Sequence, residues 1–227
     1  MAYDLEEQEQ LDTLKAWWKQ YGNLVTWLLV IALSAYAAWA GWTSYQRNQS
    51  NQASQLYDEM QKAVQAKDNA KVQRAANDLV EKFAKTPYAA MSALTAAKSA
   101  FDANDVKVAK TQLHWVVDHS SVDEYKSIAK IRLAGLALDE KAYDEGLSLL
   151  SGEFPAEFAG DVADRKGDIY LAQNKTVEAR AAFQTALDKL KEKNPGRQLI
   201  QLKLDALGGA EAKVARTTSA ASNSTSK

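Results

Sequence analysis

The chain has 227 residues, a formal net charge of −1 and no cysteine. That balance argues against a nucleic-acid-binding protein, which needs a cationic face, and it leaves no disulfide framework and no thiol chemistry. Proline occurs only at 87, 155 and 195, and Ala, Leu, Lys, Glu, Asp and Gln dominate, so the expected class is all-α.

Residues 1–21 form an acidic leader containing Asp4, Glu6, Glu7, Glu9 and Asp12. From Gln20 to Gln46 no residue is charged, and Leu24–Trp42 is apolar over nearly the length that a bilayer core demands, about 20 residues. In lipid a backbone must satisfy its own hydrogen bonds, so this stretch predicts one unbroken transmembrane helix over 22–45. Trp17, Trp18 and Tyr21 on one side and Trp39, Trp42 and Tyr45 on the other are placed as headgroup anchors. A buried core helix is a competing reading, but it would rarely run so long without a polar face. A cleaved signal peptide is another, since Ala35-Tyr36-Ala37 and Ala38-Trp39-Ala40 resemble cleavage sites. The long acidic leader and the aromatic residues beyond those sites favour an uncleaved anchor. Lys15 and Lys19 precede the span, whereas only Arg47 follows it before Lys62. By the positive-inside rule the N-terminus is then cytoplasmic and the body lies across the membrane, in the periplasm of a Gram-negative cell.

The body, 46–207, reads as successive amphipathic helices separated by breakers. These are Lys67-Asp68-Asn69, Thr86-Pro87, Ala103-Asn104-Asp105, Asp118 to Ser121, Gly152 with Pro155, Gln173-Asn174-Lys175 and Asn194-Pro195-Gly196. Small residues recur at Ala75, Ala109, Gly146 and Ala179, spaced by 34, 37 and 33, each followed four positions later by Leu79, Leu113, Leu150 or Phe183. Ala63, Ala97, Ala134 and Gly167 step by the same amounts in the preceding helices. A two-helix unit repeating every 34 or so residues is the tetratricopeptide pattern, clearest at Gly167-x-x-Tyr170 and Ala179-x-x-x-Phe183. Small residues let paired helices approach, large ones fill the groove, and hairpins stack into a solenoid. A plain helical bundle is the blander alternative. Leu199, Leu202 and Leu207 predict a C-terminal capping helix, and the Ser/Thr-rich 208–227 is expected to be a disordered tail.

The residues offer no catalytic setting. His114 and His119 are five apart, on different helix faces, and make an unlikely metal pair. Asp161, Asp164 and Asp168 share a face, but Arg165 and Lys166 interrupt them, so a solvated or partner-facing acidic stripe is a better reading than a cation site or a hydrolase. There is no phosphate loop, recognisable nucleophile or Cys/His cluster. The expectation is a binding protein without cofactor or metal. Solenoids of this kind bind through the surface lined by their first helices, which here predicts a partner site of Tyr57, Met60, Met91, Leu94, Lys98, Phe101, Asp161, Asp164 and Asp168.

The acidic leader, single anchor and degenerate repeats resemble the YfgM family of bacterial inner-membrane proteins. The likeness is strongest at Val162 to Asp168, at Glu178 to Phe183 and in the helix Leu199 to Leu207, and it covers about residues 1–207. The resemblance implies a single-pass inner-membrane protein with a periplasmic body. It also implies an ancillary role at the SecYEG translocon beside the periplasmic chaperone PpiD, helping to hand on secreted or outer-membrane proteins. A link to a stress response regulator, which would be sequestered at the membrane, comes with the family as an alternative role. The Ser/Thr-rich tail departs from the family pattern.

Overall fold

The computed structural model describes residues 2–208, with side chains described from residue 9 onward. Met1 and, apart from Gly208, the tail expected over 208–227 lie outside the described residues. The described residues are helical throughout, without a strand, and divide into two units, Met1–Gln52 and Ala53–Lys227.

The first unit is formed by part of α1, which runs over Ala2–Gln65. Its apolar stretch is long enough to cross a membrane, and none of it is buried against protein. Trp27, Leu28, Leu29, Ile31 and Leu33 all face outward. Two hydroxyls in this stretch bond back to their own helix: Thr26 donates to the Gly22 carbonyl at 2.7 Å and Thr43 to the Trp39 carbonyl at 2.9 Å. Such i−4 bonds are what an apolar surrounding requires of a hydroxyl. Rings gather at both ends, with Trp17 and Tyr21 5.8 Å apart and Trp42 and Tyr45 6.2 Å apart.

The second unit begins with the end of α1 and continues through α2 (Asn69–Lys82), α3 (Pro87–Asp102), α4 (Val106–His119), α5 (Asp123–Asp139) and α6 (Tyr143–Leu149). A 3₁₀ turn at Ala156–Phe158 leads into α7 (Ala159–Ala172), α8 (Thr176–Lys189) and α9 (Gly196–Ala206). The breakers read from the sequence fall between these helices, and Pro87 opens α3 at a position where its missing N–H costs nothing.

One turn is built four times. Lys67, Asn104, Lys141 and Asn174 each take a left-handed backbone, with φ between 56 and 61°. Each donates its N–H to the carbonyl three residues earlier, and the next residue donates to the carbonyl five residues earlier, as in Asp105 to Ala100 at 2.8 Å and Lys175 to Tyr170 at 2.9 Å. This is the Schellman closure, here made without glycine. The residue that completes it also caps the following helix: the Asp68 and Asp105 carboxylates accept from the Lys71 and Val108 N–H groups at 3.1 Å. Ala142 and Lys175 occupy the same place with no side-chain cap.

These turns set the true register of the repeat. Seven residues before each stand Met60, Ala97, Ala134 and Gly167; nine residues after stand Ala76, Leu113, Leu150 and Phe183. All eight are buried. Small faces large in three hairpins, and the first reverses the sizes, Met60 against Ala76. In the last hairpin a Cβ on Gly167 would lie 2.5 Å from Phe183, so only glycine fits there. The register through Ala63, Ala75 and Leu79 is therefore corrected by three residues in the first hairpin, while the other three hairpins hold. The exchange of sizes is what disguised it.

Helices α3, α5 and α7 pack on one another and also on their partners. α5 is enclosed accordingly: Ala129, Leu133, Ala134, Leu136 and Ala137 are all buried. The final helix caps the stack, as expected, through a different face. Ile200 and Leu204 are buried with Leu207 against Phe183, Leu187 and Leu190, while Leu199 and Leu202 point to solvent. The i, i+4 pair, rather than the leucine count, chose the face.

Candidate functional site

A half-open groove of about 380 Å³ runs along α3, α5 and α7. Its floor is Ala97 and Leu136, both buried. Phe101 stands at its edge 49% exposed, an unusual position for a phenylalanine in a well-packed repeat. The charged lining is Lys98, Arg132 and Arg165 against Asp102 and Asp139.

The charges are not equivalent. Lys98 and Asp102 pair at 2.6 Å on the exposed rim. Arg132 donates to the Leu94 carbonyl at 3.1 Å, across from α5 to α3, and no carboxylate lies in salt-bridge range of it among the described residues. Arg132 is exposed, and partial desolvation of its head group pulls its pKa below the usual guanidinium value. Arg165 reaches Asp168 only at 3.5 Å, and its Nε is buried without a partner. Its guanidinium lies over Gly135, where an added Cβ would sit 3.4 Å from the Arg165 Cζ. Arg132 and Arg165 both stand nine residues before a left-handed turn residue, so they are the same repeat position on successive first helices.

Of the residues expected at a partner site, Lys98 and Phe101 line this groove. Met60 and Leu94 do not present their side chains: both are core, because Met60 fills the first hairpin joint and Leu94 packs between α3 and its neighbours. Met91 is half-buried, and half-buried Tyr57 packs against Tyr88 with ring centroids 5.8 Å apart. Asp161 is exposed. Asp164 and Asp168 meet Lys203 of the cap at 2.8 and 2.7 Å, so these two hold α9 in place instead of facing solvent. Lys203 also lies 5.2 Å from the centre of the Phe183 ring.

Burial pushes the Asp168 carboxyl up, against the opposing hydrogen bond from Lys203. Burial would lower Lys203, but hydrogen bonds to two carboxylates outweigh it and raise its pKa. Asp161 is raised by desolvation and by Asp164 beside it. His119 stacks on Trp115 with ring centres 5.0 Å apart, with Nδ1 3.0 Å from the Trp115 carbonyl. Among the described residues no cluster of three or more His, Cys, Asp and Glu side chains has a metal-holding arrangement.

Arg132 and Arg165 were missed by the sequence reading. The sequence signal for them is a cation recurring at one repeat position, masked at Arg165 by the acidic residues around it.

A family model for a tetratricopeptide repeat-like domain matches residues 15–209. A protein of Neisseria gonorrhoeae, named "Ancillary SecYEG translocon subunit", is 33% identical over 208 residues, 91% of this chain and 100% of its own length. The chain belongs to the YfgM family. Proteins with the same name in Haemophilus influenzae and Aggregatibacter actinomycetemcomitans are each 28% identical. The alignments cover 82 and 91% of this chain and 91 and 100% of theirs.

Proposed function

We propose that this chain is a membrane-tethered binding scaffold, an ancillary subunit of the SecYEG translocon that helps to pass secreted or outer-membrane proteins to periplasmic chaperones such as PpiD. The observation that carries it is alignment over the full length of a relative bearing that subunit's name. The helical stack supports it, since repeats of this kind present extended protein-binding surfaces. The apolar part of α1 is the anchor, retained uncleaved, with residues 1–21 cytoplasmic and the body periplasmic; Lys15 and Lys19 support that orientation. On this topology a cytoplasmic stress response regulator would meet only the leader. The solenoid's role is to bind, not to catalyse.

The test is crosslinking in intact cells from a photoreactive residue at Lys98, followed by mass spectrometry. SecYEG subunits and the chaperone are the expected products. Their absence, in cells where the protein sits in the inner membrane, would overturn the translocon role. Alkaline phosphatase fused after Gly208 should be active, and the mature protein should keep its first residues. An inactive fusion reverses the topology, and an N-terminus near Ala38 removes the anchor.

A further inference from the structure

We propose that the groove recognises an acidic side chain, Asp or Glu, within an extended polypeptide segment. Its carboxylate is held between Arg132 and Arg165, and an adjacent apolar residue lies against Phe101. This inference rests on the scaffold reading and names the chemistry that the scaffold selects.

Three observations converge. The first is charge. Lys98 and Asp102 neutralise each other on the rim, which leaves two arginines against Asp139 alone. Asp139 and Arg132 are both exposed and Arg165 is half-buried, and Asp139 is not in salt-bridge range of either arginine among the described residues. A guanidinium presents five donors, and a carboxylate takes two of them in parallel. Both guanidinium groups line the groove, and Arg132 spends one N–H on the Leu94 carbonyl with no salt bridge among the described residues, so its other donors are left for a carboxylate. The second is shape. Gly135 lets the Arg165 guanidinium lie close against α5, and Ala97 keeps the floor low. The third is the outward Phe101, which offers apolar surface beside the cations. Packed helices lie about 8–10 Å apart, so three of them present a strip of roughly 20 Å. An extended chain rises about 3.3 Å per residue, so some six residues span that strip. A segment of that length delivers an acid and a neighbouring apolar side chain together, which a small anion does not.

The experiment uses the full-length chain in detergent micelles and fluorescein-labelled eleven-residue peptides, the first two capped at both ends. One carries a central Glu beside Leu and Phe, and its counterpart carries Gln. A third carries Gln with a free terminal carboxylate. By fluorescence anisotropy at low salt the Glu peptide should bind at least about tenfold tighter than the Gln peptide, the usual margin for hydrogen bonds to a charged group. Moderate salt should narrow the gap. R132Q/R165Q should abolish the preference. Gly135→Glu, which supplies a carboxylate of its own beneath Arg165, should abolish it with both arginines present. Unchanged helicity by circular dichroism accompanies each variant.

Equal binding of Glu and Gln peptides to the wild-type chain overturns the proposal. So does a preference that survives in both variants, or tightest binding of the free-carboxylate peptide, which would make the groove a chain-end site. The scaffold reading fails separately, by absence of translocon crosslinks from the wild-type protein. If those crosslinks persist while the Glu preference is absent, only the acidic specificity falls.

Discussion

The first and last hairpins solve one packing problem with the sizes exchanged. In the last, Gly167 brings α7 against α8 and Phe183 fills the joint; in the first, Met60 on α1 fills it and Ala76 on α2 makes the room. All four residues are buried. The comparison teaches that the repeat conserves the volume of a joint and leaves open which helix supplies it. Close packing explains this, because a core tolerates redistribution of volume far better than a change in its total.

Emptying either joint breaks the comparison most directly. Phe183→Ala should cost about 3–5 kcal/mol and Met60→Ala about 2–5 kcal/mol, read from denaturant unfolding of the full-length chain followed by circular dichroism. A loss under about 1 kcal/mol at either site would mean that it is not a filled joint. The exchange itself is sharpened by a double change. Met60→Ala with Ala76→Leu rebuilds the first joint in the manner of Ala97 with Leu113, and should bring the loss below about 1.5 kcal/mol, the range of volume-conserving swaps. Losses that simply add would refute the pairing.

The last hairpin is also held by an ionic clamp, Lys203 on Asp164, Asp168 and the Phe183 ring. Lys203→Met should cost about 1–3 kcal/mol near pH 7, the scale of hydrogen bonds to charged groups. The pH dependence has a definite sign. Asp168 is already raised, and loss of Lys203 removes the hydrogen bond that opposes the rise. A carboxyl whose folded pKa exceeds its unfolded one stabilises most below the unfolded value and loses that contribution as pH climbs through the folded value. The variant should therefore fall further behind the wild type at pH 7 than at pH 4.5 in thermal melts. A deficit that grows on acidification would contradict this.

The smallest effect concerns the turns. Asp68→Ala should lower the melting temperature slightly, because it removes a cap bond that the third and fourth hairpins do without. Ala142→Asp should recover part of that shift by adding the missing cap. No change in melting temperature for either would show that the Schellman bonds alone carry the turn.

The sequence by itself determined the helices, their breaks, the apolar stretch and the capping helix. These follow from local composition and from periodicity along one chain: an uncharged run from Gln20 to Gln46, a proline opening α3, and small residues followed by large ones. Tertiary structure decided what depends on two segments at once. The register of the first hairpin could not be read locally, because Met60 is a small-residue position only in relation to Ala76. The face of α9 was set by what α8 offers, so Ile200 and Leu204 went inward and Leu199 and Leu202 did not. Asp164 and Asp168 were visible as a stripe, but Lys203, far along the chain, turned them into a clamp. The groove arginines became a pair only when α5 and α7 were stacked, since no spacing within either helix brings Arg132 and Arg165 together.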